Sequence, residues 1–159
     1  MKKLSISLIG LAAFIVASPA LAIEIVKSVD VSASPAATWE LMGDFCGIAK
    51  WHPGIETCGL SYTNGATYRT LKLKDGGEIF TRLLTRIGPA FTYSYSVEYS
   101  PLPVNDYQAT IVVSPNKSGS TITWGASFNP AKGVSEQKAA EAIGGFIDAG
   151  LQGIKATLK

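Results

Sequence analysis

The chain is poor in the residue types that build the commoner kinds of site. It has one histidine and two cysteines, without the closely spaced Cys or His pairs of zinc sites. Only 16% of its residues are charged, and no Lys/Arg cluster could follow a phosphate backbone, which argues against a nucleic-acid partner. There is no HExxH, no Ser-His-Asp order in a supporting motif and no pair of carboxylates within one motif, so no standard hydrolytic constellation is written here. Internal repeats, low-complexity stretches and linkers are also missing. Neither a metal nor a cofactor is expected.

What is present begins with "MKKLSISLIGLAAFIVASPALA". Lys2 and Lys3 precede an apolar core from Leu4 to Ala17, and Ala20-Leu21-Ala22 is a small-x-small cleavage site. This is the three-part pattern of a signal peptide, residues 1–22, cleaved after Ala22. The apolar run is shorter than the roughly 20 residues of a spanning helix, and Ser18-Pro19 breaks it, which disfavours an anchor. The sequence holds 14 basic and 12 acidic residues, so loss of Lys2 and Lys3 leaves a formally neutral domain, residues 23–159. That domain is expected to be periplasmic or secreted, with no stable membrane insertion once the leader has gone.

Along this domain the apolar pattern changes period. "EIVKSVDVSA" alternates, with Ile25, Lys27, Val29 and Val31 on one side, and predicts an opening strand. Ser34-Pro35 then reads as an N-cap followed by proline at the first helical position. It starts a short helix carrying Trp39, Met42 and Phe45, and "CGIAKW" predicts one further turn ended by Pro53. From residue 55 to 129 six alternating segments follow, joined by "NG", "DGG" and other Gly, Pro, Asn or Asp clusters. Strands in unbroken succession predict an antiparallel meander. In residues 134–159, Ile143, Ile147, Leu151, Ile154 and Leu158 form one helical stripe with Phe146 beside it, and polar residues lie largely opposite. The glycines in this helix cost about 1 kcal/mol each relative to alanine. They are tolerable where the helix is closely approached or roofs a space.

The stretch "DFCGIAKWHPGIETC", residues 44–58, gathers both cysteines, the histidine and one of three tryptophans. Export favours a Cys46–Cys58 disulfide, since thiols outside the cytosol are normally oxidised. Two free thiols, or a metal held by Cys46, His52 and Cys58, are the alternatives. His52 is a candidate rim or structural residue, a ligand contact or, as a weak catalytic candidate, a general base.

One strand, a short helical pair, a six-strand meander and a long C-terminal helix, together with "GDFCGIAKWHP", "YRTLKLKDGGEI", "YSYSVEYSPLPVNDYQATI" and "STITWGASF", resemble the START-like or SRPBCC superfamily. That group includes polyketide cyclase/dehydrase-like and lipid-transport proteins. An exported branch also resembles accessory proteins of periplasmic methanol oxidation. The resemblance runs from about Glu24 to Lys159. It implies an α+β helix-grip fold: a curved antiparallel sheet of about seven strands around the C-terminal helix, with two short helices after the first strand. It implies a single START-like ligand-binding domain with a cavity between sheet and helix, and it is poor evidence for activity.

Alternation assigns the faces. Phe91, Tyr93, Tyr95 and Val97 share one side of their strand, and Ile122, Trp124, Ala126 and Phe128 one side of another. The apolar sets belong on the concave surface. Tyr93, Tyr95 and Trp124 carry polar tips that need partners when buried, which suits a cavity better than a dry core. Arg69 shares a face with Leu71 and Leu73 and is taken inward with them. A carboxylate or other anionic ligand would satisfy it bidentately; an internal pair with Asp44 or Glu56, or snorkelling to water, are the alternatives. Arg82 and Arg86 are expected with Glu78 on the solvent face. The candidate ligand-binding set is Trp51, His52, Arg69, Tyr93, Tyr95, Trp124 and Phe146. The leading expectation is a binding or carrier protein for a small hydrophobic or amphipathic ligand. The alternatives are a cyclase/dehydratase-like enzyme using the same cavity, and an accessory protein with a periplasmic protein partner, for which "SPLPVNDY" is the candidate surface.

Overall fold

The computed structural model describes residues 22–158, so the expected leader lies outside the described residues except for Ala22. Strand β1, Ile23–Val31, leads into helix α1, Pro35–Met42, and the single-turn helix α2, Ile48–Trp51. Strands β2 (Ile55–Thr63), β3 (Ala66–Leu73), β4 (Glu78–Ile87), β5 (Thr92–Tyr99), β6 (Val104–Pro115) and β7 (Ser120–Pro130) follow, and helix α3, Glu136–Thr157, closes the chain. All neighbouring strands are antiparallel, in the order β1-β7-β6-β5-β4-β3-β2. The curved sheet grips α3, the helix-grip arrangement that the family resemblance implied.

Local chemistry explains the joints. Ser34 Oγ accepts the Ala37 N–H at 3.3 Å, capping α1 at its proline start. Asn64 and Gly65 turn β2 into β3 with φ of 49° and 75°, the left-handed pair that a tight hairpin of matching twist requires. Thr38 Oγ1 and Ser120 Oγ meet at 2.8 Å, and Ser120 Oγ donates to the Ala33 carbonyl at 2.9 Å, pinning α1 to the start of β7.

Helix α3 buries Ala139, Ile143, Ile147, Leu151 and Ile154. Each large aliphatic side chain on this stripe contributes about 1.5–3 kcal/mol. The helix packs on β1, β7 and α2. Lys27, on the inward side of β1, reaches Asp148 of α3 at 2.8 Å, the one ion pair among the described residues.

Three departures from simple alternation matter for the interior. Phe91 is not in a strand: it ends a short 3-10 turn, Gly88–Ala90, at a left-handed φ of 48°, and packs its ring on Trp39. In β4 the pairing with β5 shifts between Leu83 and Thr85. The extra residue turns Arg86 to the same side as Tyr93, its register partner. Its Nε donates to the Gly43 carbonyl at 2.6 Å and its guanidinium lies over Trp39, so Arg86, though exposed as expected, is on the α1 side of the sheet and fastens α1. In β6 the register shifts between Asn105 and Gln108, with Asp106 at φ 53°, which directs both Val104 and Tyr107 inward.

Candidate functional site

Arg69 decides where the interior chemistry lies. It is 1% exposed, on β3 between Leu60 of β2 and Thr81 of β4 in the pairing register. Nε donates to Thr81 Oγ1 at 3.0 Å, and one terminal nitrogen donates to the Phe45 carbonyl in the α1–α2 connection. The guanidinium carbon lies 4.0 Å from the centre of the Phe45 ring and 4.9 Å from that of Tyr95, both within cation–π range. Neither Asp44 nor Glu56 pairs with it; both are exposed, and Asp44 Oδ1 accepts the Cys46 N–H at 2.8 Å. A buried charge without a counter-charge carries a desolvation penalty of several kcal/mol, of which hydrogen bonds and ring faces recover part.

Beside Arg69 lies a small, partly enclosed void of about 10 Å³, room for a single water. Its sheet wall is Arg69, Leu71, Ile79, Thr81, Tyr95, Val97 and Tyr107; Ile48 of α2, Leu102 of the β5–β6 loop and Phe146 of α3 complete it. Of the residues singled out from sequence, Arg69, Tyr95 and Phe146 line this void. Trp51, His52, Tyr93 and Trp124 are buried in the layer around it. Tyr107 was missed, although Tyr107, Ala109, Ile111 and Val113 alternate on one face of β6. The backbone bulge at Asp106 that sets its direction has no local signature.

The interior is rich in donors. Tyr93 Oη, Trp51 Nε1 and Trp124 Nε1 are buried without a hydrogen-bond partner among the described residues. The Tyr93 hydroxyl faces Arg69, and the Trp124 N–H is turned toward the Tyr107 hydroxyl. Each such group costs about 1–3 kcal/mol. Burial pushes the Tyr93 and Tyr95 phenols above their ordinary range and that of Tyr107 up to about 12. All three are therefore neutral hydroxyls near neutrality.

His52 is 3% exposed and fully committed. Its Nε2 faces the Phe146 carbonyl at 3.0 Å, which can only accept, so Nε2 carries the proton. Nδ1 then accepts the Gly54 N–H at 3.1 Å. Burial holds the imidazole below its ordinary value of 6.5, and the Arg69 charge acts in the same direction. The ring packs on Phe146, centres 4.2 Å apart with the planes tilted by 30°. This histidine fastens the α2–β2 turn to α3, and neither nitrogen is free to take a proton from a substrate. Cys46 and Cys58 are bonded, with Cα atoms 5.5 Å apart, tying the α1–α2 connection to the edge strand β2.

Larger hollows lie outside. One of about 470 Å³ runs between the end of β1 and the C-terminal turn of α3 (Asp30, Ser118, Gln152, Lys155). Another, of about 620 Å³, lies at the β5–β6 rim and shares Val97 and Tyr107 with the inner void. Both are open to solvent; the second, lined mainly by polar groups, marks the thinnest part of the wall. Among the described residues no group of His, Cys, Asp or Glu is placed to hold a metal, and no helix is long and apolar enough to cross a membrane.

The family model for polyketide cyclase/dehydrase and lipid transport matches residues 22–159. The chain belongs to that family. Among solved structures, the protein XoxI from Bacillus cereus is 28% identical, with 85% of this chain and 94% of that one covered and a TM-score of 0.78. Two others share the fold of this polyketide cyclase/dehydrase family member at lower identity. An aromatase/cyclase from Streptomyces sp. R1128 is 13% identical over 86% of this chain and 93% of that one, TM-score 0.72. A START superfamily protein from Mycobacterium smegmatis is 13% identical over 85% and 96%, TM-score 0.69. No curated protein sequence matches.

Proposed function

We propose that this chain is a binding or carrier protein for a small, mainly hydrophobic molecule held between the sheet and α3, working in the periplasm or outside the cell. One observation carries the reading: a buried Arg69 without a counter-charge stands in the wall of a small void otherwise lined mainly by aromatic and aliphatic side chains. Family membership supports a hydrophobic ligand, and the disulfide supports an oxidising compartment. Ligand pockets usually occupy about 300–1,000 Å³, so a ligand enters this interior only as the wall at Val97, Leu102 and Phe146 moves aside. With His52 engaged at both nitrogens, a binding role is favoured over acid–base turnover.

The test is native mass spectrometry of the protein purified from the exported fraction, with thermal unfolding against a panel of hydrophobic small molecules. A retained or added ligand should raise stability by about 2.7 kcal/mol at a hundredfold excess over its Kd. Val97→Trp, which fills the wall, should abolish the effect. A protein that retains nothing and responds to no member of the panel would discard the carrier reading.

A further inference from the structure

The interior can be read for the chemistry of its occupant, on the premise that it is a ligand site. A guanidinium has five N–H donors. On Arg69 two are engaged, by Thr81 and the Phe45 carbonyl, leaving three. Tyr93 Oη, 0% exposed, is a further buried group without a partner, and it faces the guanidinium. What this cation lacks is a counter-charge: no Asp or Glu of the described residues pairs with it.

We infer that this interior takes an amphipathic monocarboxylate, its two oxygens on the Arg69 guanidinium with the Tyr93 hydroxyl alongside, and its apolar body against Leu71, Ile79, Val97 and Leu102. A planar carboxylate matches the fork geometry of a guanidinium. One cation, with no second basic side chain in the void wall, balances a monoanion, whereas a dianionic phosphate would remain half uncompensated in a dry interior. The tail runs from Arg69 toward the outer hollow at the β5–β6 rim, because Val97 and Tyr107 belong to both spaces. Pro101 meets the β3–β4 turn there, at the position a Gly77 side chain would fill, so two loops close the same end.

The probes are octanoate, 1-octanol and octylamine, titrated calorimetrically into the oxidised protein at pH 7. Octanoate should bind about tenfold or more tightly than 1-octanol, a difference of about 1.4 kcal/mol, and octylamine should not bind measurably. Arg69→Met should erase the preference for the acid and leave 1-octanol within about threefold of wild type. Tyr93→Phe removes one unpartnered oxygen from a buried position, so its fold should be kept and the preference reduced by several-fold; it serves if Arg69→Met does not fold. Equal affinity for acid and alcohol would overturn the carboxylate assignment while leaving a hydrophobic site in place. A preference for the acid that survives the substitutions would overturn it as well. If none of the three binds, the ligand site itself is wrong.

Discussion

His52 illustrates how a residue of catalytic type can be wholly absorbed by structure. His52→Ala removes two hydrogen bonds and leaves the Gly54 N–H without its acceptor; the expected loss is about 2–4 kcal/mol in chemical denaturation. The pH dependence has a definite sign. A histidine held below 6.5 in the folded protein binds its proton more readily when unfolded. Its contribution is therefore full above about pH 6.5 and declines as pH falls toward the folded value. Denaturation profiles at pH 7.5 and 5.5 should show a decrease that is smaller in His52→Ala; an equal decrease would assign the acid sensitivity elsewhere. At this scale sequence reading succeeded where alternation ran unbroken. Arg69 could be placed inside because Leu71 and Leu73 share its face. The face of the exposed Arg86 could not be read, because a single extra residue near Leu84 reverses the face of everything after it.

Helix α3 carries glycines that a surface helix should avoid, and their environments divide them. A Cβ at Gly150 would lie 2.8 Å from both His52 Cδ2 and Trp124 Cζ3, and one at Gly153 would collide with the Trp51 carbonyl. These two let α2 and the α2–β2 turn sit directly on α3. At Gly145 a Cβ meets nothing within 4 Å. Gly145→Ala should therefore stabilise by up to about 1 kcal/mol through helix propensity, while Gly150→Ala should destabilise by about 1–3 kcal/mol despite the same propensity gain. Thermal melts of the two variants in opposite directions would confirm the division; two stabilised variants would refute it. The amphipathic stripe was legible from residues 143–158 because helical period is local. That the close neighbour is the histidine turn as well as the sheet is a tertiary relation, which no local pattern encodes.

At the scale of the molecule, the Cys46–Cys58 bond joins the helical corner to the edge strand and also fixes Phe45, whose carbonyl and ring hold Arg69. Replacing both cysteines by serine should cost about 3 kcal/mol for a loop of this length, read by denaturant midpoint. It should also loosen ligand selectivity, since the corner that orients Arg69 is freed; unchanged selectivity would separate the staple from the site. The order of strands and helices was legible because turns and alternation are written in short stretches. The interior volume was not, because it depends on how side chains from β3, β5, β6, α2 and α3 fill a shared space, and they fill nearly all of it. All three tryptophans are buried, and two of them, Trp51 on α2 and Trp124 on β7, stand edge to face at 5.9 Å. The strong indole transitions couple at that separation, so the packed pair should give a far-ultraviolet circular dichroism couplet. The molecule thus reports any parting of α2 from the sheet optically, with no label attached.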